Sequence, residues 1–219
     1  QDVVIESANP DDLSSYKAIL EQLPRFGGYP AITGSEGRFT AQNLERQKSG
    51  NPFHLYSLTF GEENIGFLQL GRMPCINYEE GPDEKNPTAH HPIIEKFMSL
   101  GLTQKVDQDA GLNKANIQRV ENRGAALILP MFRPGVTEEV KQLVIASTFE
   151  LIRHFTSHGK TLPNENTTPH VAVSLFHPDD PIVNTFRQMG FEVDENPEFR
   201  WFYPDAADPR RVMVERKIQ

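Results

Sequence analysis

Two continuous apolar runs separated by one long amphipathic helix constrain this chain more than any other feature. Ala125 to Leu129 and Val171 to Phe176 show little alternation of polar and apolar residues, the pattern of strands covered on both faces. Between them, a helix from about Thr137 to His158 carries Val140, Leu143, Val144, Phe149, Leu151, Ile152 and Phe155 on its apolar side. Strand, helix and strand of these lengths return to one sheet through a right-handed crossover. The two strands are therefore expected to be neighbouring, parallel and central.

The flanking sequence extends this unit in both directions. Val3 to Ile5 reads as a short strand, and Asn9-Pro10-Asp11-Asp12 opens a helix with Leu13, Tyr16, Ile19, Leu20 and Leu23 at helical spacing. That helix stops at Pro24, and Phe26-Gly27-Gly28-Tyr29-Pro30 leads to a more polar helical stretch from about Gly37 to Lys48. His54 to Phe60 and Ile65 to Leu70 flank Gly61-Glu62-Glu63-Asn64, which reads as a hairpin. Residues 71–124 are dense in loop signals, with an acidic, proline-containing run from Tyr78 to Glu84 and one helical stretch, Ile93 to Leu100. They read as an irregular insertion within a single domain spanning 1–219. Met131 to Gly135 reads as the turn into the long helix. After the second apolar run come a short helix from about Ile182 to Met189, a strand entered through Gly190-Phe191, and a last strand from Val212 to Ile218.

Composition narrows the function classes. Lys plus Arg is 22 against 30 for Asp plus Glu, and the net charge of −8 repels a phosphate backbone, so nucleic-acid binding is disfavoured. The apolar runs are too short to cross a membrane as helices. The single cysteine, Cys75, allows no intramolecular disulfide, which fits a reducing, cytoplasmic setting. No G-x-S-x-G, G-x-G-x-x-G or Walker loop is present, which removes the commonest hydrolase and nucleotide-binding readings.

The order β-α-α-β-β-β-α-β-α-β-β, an α/β (α+β) mixed sheet with an insertion after the third strand, resembles the GNAT superfamily of acetyl-CoA-dependent N-acetyltransferases. The most specific piece is Asp179 to Phe191, which looks like the family's penultimate helix closing on a Gly-Phe step at Gly190-Phe191. The resemblance implies transfer of an acetyl group from acetyl-CoA, or of another acyl group from its acyl-CoA, to a small-molecule or peptide amine. It places Leu129, Met131, Arg133, Gly135, Val136 and Thr137 beside the cofactor, Phe26 and Tyr29 beside the acceptor, and His177 as the acid or base where the two meet. A homodimer in which the terminal strand pairs across two copies stays open.

Two departures from the family pattern accompany these assignments. In the family's pyrophosphate loop, Gln/Arg-x-x-Gly-x-Gly/Ala, Arg133 fits the first position, while Val136 and Glu138 stand where glycine or a small residue is usual. Pro134 removes a donor, and Glu138 and Glu139 bring negative charge to a phosphate site, so the segment reads equally as a plain helix start capped by Thr137. At Phe186 the family commonly carries a tyrosine that protonates the leaving thiolate, which phenylalanine cannot do. A non-catalytic binding module that keeps the fold without the cofactor is the alternative reading. Metal chemistry has weak support: His154 and His158 are four apart on the helix, and His90-His91 lie in the insertion, but neither pair carries a ligand signature, and no metal is expected.

Overall fold

The computed structural model describes residues 2–22, 43–72, 103–107, 115–119, 124–157, 169–195 and 210–218. Among these residues the strands are β1 (Val3–Ser7), β2 (Leu55–Phe60), β3 (Glu63–Arg72), β4 (Thr103–Asp107), β5 (Ala115–Arg119), β6 (Gly124–Phe132), β7 (Pro169–Phe176), β8 (Glu192–Asp194) and β9 (Val212–Lys217). The helices are α1 (Leu13–Gln22), α2 (Glu138–Ser157) and α3 (Ile182–Gln188), and residues 43–48 are helical as well.

Seven strands form one sheet in the order β1-β2-β3-β6-β7-β9-β8. All neighbours are antiparallel except β6 and β7, which run parallel and adjacent, joined by α2 as the apolar runs require. The fold is the GNAT-like mixed α/β sheet expected from the order of elements. Its last strand is interior: β9 pairs with β7 on one side and β8 on the other.

Three local expectations are corrected. Met131 and Phe132 belong to strand β6 and not to a turn, because β3 supplies partners as far as Gly66↔Phe132. Within 71–124, expected to be irregular, β4 and β5 form a two-stranded antiparallel ladder from Thr103↔Arg119 to Asp107↔Ala115. The helical stretch expected at 93–100 lies outside the described residues, as do Phe26, Tyr29 and Cys75. Leu143, assigned to the apolar side of the long helix, is 47% exposed. At 100° per residue it stands almost opposite the buried Ile152 and Thr148, and isolated apolar residues on a surface are ordinary.

Helices cover both faces of the sheet. On one face, Val144, Ile145, Phe149 and Ile152 of α2 and Phe186 of α3 pack on Leu68, Leu70, Ile128 and Ala172. On the other, Tyr16 and Ile19 of α1 pack on Leu55, Phe67 and Met131, with the Tyr16 ring edge-on to Phe67 at 5.3 Å. α3 ends as its Gly-Phe step requires. Gly190 takes φ 81°, its N–H bonds to the Arg187 carbonyl, and the Phe191 N–H bonds to the Phe186 carbonyl. This is a Schellman cap, and the Phe186 and Phe191 rings meet at 4.7 Å across it. From β9, the Arg216 guanidinium lies over the Phe149 ring and donates to the Met189 carbonyl, tying the cap to the sheet.

Two positions set the geometry of the β3 seam and the start of β2. Gly66 has φ 153°, and a Cβ there would stand 2.0 Å from the Met131 carbonyl oxygen, so only glycine lets β6 approach at this point. His54, just before β2, is buried; its Nδ1 bonds the Asn51 carbonyl at 2.6 Å and its Nε2 the Ser7 hydroxyl at 2.8 Å. Burial is the main cause that lowers its pKa below the ordinary 6.5, the Asn51 hydrogen bond opposes the shift, and the charge of Arg46 adds to it.

Gly66→Ala is expected to destabilise the protein by on the order of 3 kcal/mol, because backbone must move to admit the methyl group. Denaturant unfolding measures this, and a variant within 0.5 kcal/mol of wild type, roughly the scatter for surface changes, would contradict it. For His54 the unfolded chain takes up its proton first as pH falls below about 6.5, so this group contributes stability above that pH and loses it on acidification. Urea midpoints compared at pH 7 and pH 5 should fall less in His54→Gln than in wild type. An unchanged slope would assign the pH dependence to other groups.

Candidate active site

The site is built where the parallel pair separates. The ladder between β6 and β7 runs to Leu127↔Val173 and ends, yet β6 continues to Phe132 along β3 and β7 continues to Phe176 along β9. Beyond Leu127 and Val173 the facing backbone edges of the two strands are therefore not paired with each other. Both carboxyl ends lie at one end of the sheet, so Arg133, following β6, and His177, following β7, come to the same margin.

Strand alternation identifies the backbone groups that face the parting. The Arg133 N–H donates to the Ile65 carbonyl at 2.9 Å, and the Met131 carbonyl lies against Gly66, so Arg133, Met131 and Leu129 address β3. Ile128, Pro130 and Phe132 then address the β7 side. Pro130 has no N–H, and the last rung of the ladder, Leu127↔Val173, takes the Ile128 N–H, which leaves Phe132 as the donor there. The side chains of Leu129 and Met131 are buried in the core. Pro130 was visible in the sequence, but its consequence depends on which edge of β6 it occupies, and only the register supplies that.

The segment between β6 and α2 is a tight turn. Gly135 takes φ 86°, and the Val136 N–H reaches the Arg133 carbonyl at 3.4 Å. A proline followed by a residue of positive φ at the centre of a turn is the type II pattern. Thr137 caps α2: its hydroxyl accepts from the Val140 N–H at 3.4 Å, and its carbonyl from the Lys141 N–H at 3.1 Å. The first-turn amides of Glu138 and Glu139 have no partner within the helix by its geometry, and Oε1 of Glu138 is buried without one among the described residues. Arg133 turns toward the β2–β3 hairpin, where Nε donates to the Asn64 carbonyl at 2.9 Å and to Oδ1 at 3.2 Å. Its terminal guanidinium nitrogens carry neither of those bonds.

His177 stands in a compact turn ahead of α3. Its Nδ1 accepts from the Asp179 N–H at 3.1 Å, which assigns the ring proton to Nε2 and makes that nitrogen a donor. The Asp179 carboxylate is engaged by Arg210 at 3.2 Å, and Asp180 accepts from the Ile182 N–H at 3.0 Å to hold the start of α3. His177 is only 5% exposed. Phe186, the position compared above with a common GNAT tyrosine, is fully buried between Phe176 and Phe191, at ring distances of 5.2 and 4.7 Å. It is a core residue. Among the described residues no group of three or more His, Cys, Asp or Glu side chains is placed to hold a metal ion, and no described helix is long and apolar enough to cross a membrane.

No protein-family model matches the sequence, and no curated protein does. Solved structures do match in fold. The chain superposes on yncA of Salmonella typhimurium, solved with its cofactor acetyl-CoA, with a TM-score of 0.55 at 9% identity, covering 100% of this chain and 95% of that one. An N-acetyltransferase from Staphylococcus aureus gives 0.52 at 10% identity over 100% of both chains. An acetyltransferase of the GNAT family from Streptococcus pneumoniae gives 0.52 at 11% identity, again over 100% of both. At such identities the likeness is one of fold.

Proposed function

We propose that the protein is an N-acetyltransferase that uses acetyl-CoA, or another acyl-CoA, and transfers the acyl group directly to an amine. The observation that carries the reading is the parting of β6 and β7 at the same margin as the start of α2, in a fold shared with acetyltransferases. A parted strand edge offers hydrogen bonds to an amide-containing chain, here from the Phe132 N–H and the Ile128 and Pro130 carbonyls, with the Leu129 and Met131 side chains buried in the core. The start of a 20-residue helix offers free N–H groups and partial positive charge to a pyrophosphate. Gly135 and Thr137 supply amides there, and Arg133 supplies charge from its terminal nitrogens. The residues fit the cofactor, at an affinity reduced by Glu138, Glu139 and the occupied Val136 amide.

When bound, the cofactor supplies an activated thioester. The protein's own contribution is to hold that carbonyl and a neutral amine in reacting geometry. Nε2–H of His177 is a donor near the margin where the amine arrives, and Phe26 and Tyr29 are assigned to the acceptor side. The acceptor is a small-molecule or peptide amine, and the acidic balance of the chain favours a cationic one before it loses its proton.

A binding module that has lost the cofactor remains the second reading, favoured by one set of observations: Pro130 and Pro134 lack donors, the Val136 amide is taken, and two glutamates head α2. Calorimetry with acetyl-CoA separates the two. On the first reading wild type binds weakly at low ionic strength. Glu138→Gln with Glu139→Gln tightens binding by about 0.3–1 kcal/mol per charge, an effect that shrinks with added salt. Arg133→Ala weakens binding by more than either glutamate change strengthens it. Absence of heat with all of these folded proteins would favour the binding module over the enzyme.

A further inference from the structure

At the opposite end of the sheet, a second group of chemically competent side chains lies outside the site above. β1 is antiparallel to β2, β2 to β3 and β3 to β6, so the carboxyl end of β1 lies beside the amino end of β6. Ser7 closes β1 there. Its hydroxyl is 2.8 Å from Nε2 of His54, while Nδ1 of the same ring is 2.6 Å from the Asn51 carbonyl oxygen. A carbonyl can only accept, so Nδ1 carries the proton, Nε2 holds a lone pair, and Ser7 donates to it. A nucleophile bonded to a base, and the base bonded to a group that fixes its tautomer, is the arrangement used to activate a hydroxyl.

The surroundings hold that arrangement still. The His54 ring stacks on Tyr56 at 4.2 Å, and the Tyr56 hydroxyl is tied to the Pro52 carbonyl at 2.5 Å. The Asn51 side chain accepts from the Phe53 N–H at 2.9 Å, which fixes the turn whose carbonyl orients the imidazole. The imidazole is 5% exposed, whereas Ser7 is only partly buried.

Backbone register adds an electrostatic element. The Ala8 N–H donates to the Leu55 carbonyl at 3.1 Å while Ser7 stands opposite Tyr56, so Ser7 and Tyr56 are a non-hydrogen-bonded pair. The Ser7 N–H therefore points to the outer edge of β1, which no described strand covers. The N–H of a nucleophilic serine is a usual member of an oxyanion hole.

We propose that Ser7 and His54 form a second reactive site, at which Ser7 is a nucleophile toward small carboxylic esters and His54 is its general base. Ser7 Oγ bonds to the ester carbonyl carbon as its proton passes to Nε2 of His54, and the Ser7 N–H faces the carbonyl oxygen. The bond from carbon to the alcohol oxygen breaks, and the alcohol leaves with the proton from His54. Water then gives a proton to the same nitrogen and attacks the acyl-serine, releasing the carboxylic acid and restoring the Ser7 hydroxyl.

A fluorophosphonate probe tests this on the full chain, with intact-mass kinetics and peptide mapping to locate the adduct. Expected is an adduct on Ser7, absent from Ser7→Ala and formed about a hundredfold more slowly in His54→Gln, the usual size of a general-base contribution. Because His54→Gln removes a buried ring, wild type in urea serves as a second reference: the folded chain should label Ser7 about a hundredfold faster than the unfolded one. No Ser7 adduct on the folded wild type, or equal rates folded and unfolded, would overturn the proposal. So would undiminished labelling of a folded His54→Gln variant.

Discussion

One contact organises the molecule: the parallel ladder between β6 and β7, which starts at Gly124↔Pro169 and stops at Leu127↔Val173. Among the described residues it is the only parallel pairing of the seven-stranded sheet, and α2 carries the chain back across one face to make it. Antiparallel partners on the outer sides, β3 for β6 and β9 for β7, hold each strand in place after the ladder ends. Each strand thus keeps one satisfied edge and presents the other. An unpaired edge of this kind is costly to bury, so it marks a place for water or for a ligand that carries its own amide groups.

The chain leaving that edge is shaped by conflicting demands. A turn with Pro134 and Gly135 at its centre reverses direction quickly, which brings the start of α2 to the parting but uses the Val136 amide. Thr137 caps the helix, and the two glutamates that follow favour helix formation through the macrodipole. The same charges oppose an anionic ligand. Helix stability and phosphate affinity therefore pull in opposite directions at Glu138 and Glu139. The aromatic group Phe149, Phe176, Phe186 and Phe191 behaves differently: its rings are joined edge to face or tilted, close the face under α2 and α3, and leave Phe186 no access to chemistry.

Much of the fold was legible because it depends on local pattern. Short unbroken apolar runs suit buried strands, a long amphipathic stretch between two of them suits a crossover helix, and a glycine before Phe191 ends a helix for reasons of backbone sterics. Each of these follows from residues near in sequence. Where reading failed, a distant partner decided: β3 extends β6 through Met131 and Phe132, and β5 pairs with β4 inside a segment whose loop signals were dense. Leu143 shows the related weakness of periodicity, since an apolar residue at helical spacing still faces water if the helix is rotated away from it.

The candidate sites divide along the same line. From sequence alone came the end of the second strand at Phe176, the approach to the long helix with Arg133, Gly135 and Thr137, and the position of His177, because each sits at a boundary between elements. The tertiary structure decided the rest. Which edge of β6 Pro130 occupies depends on the register with β3, and the use of Arg133 depends on Asn64, 69 positions away. Ser7 and His54 are 47 positions apart and were given no role by any motif. Antiparallel pairing of β1 with β2 brought them together, because hydrogen-bond register between strands is set by the whole sheet and not by either strand.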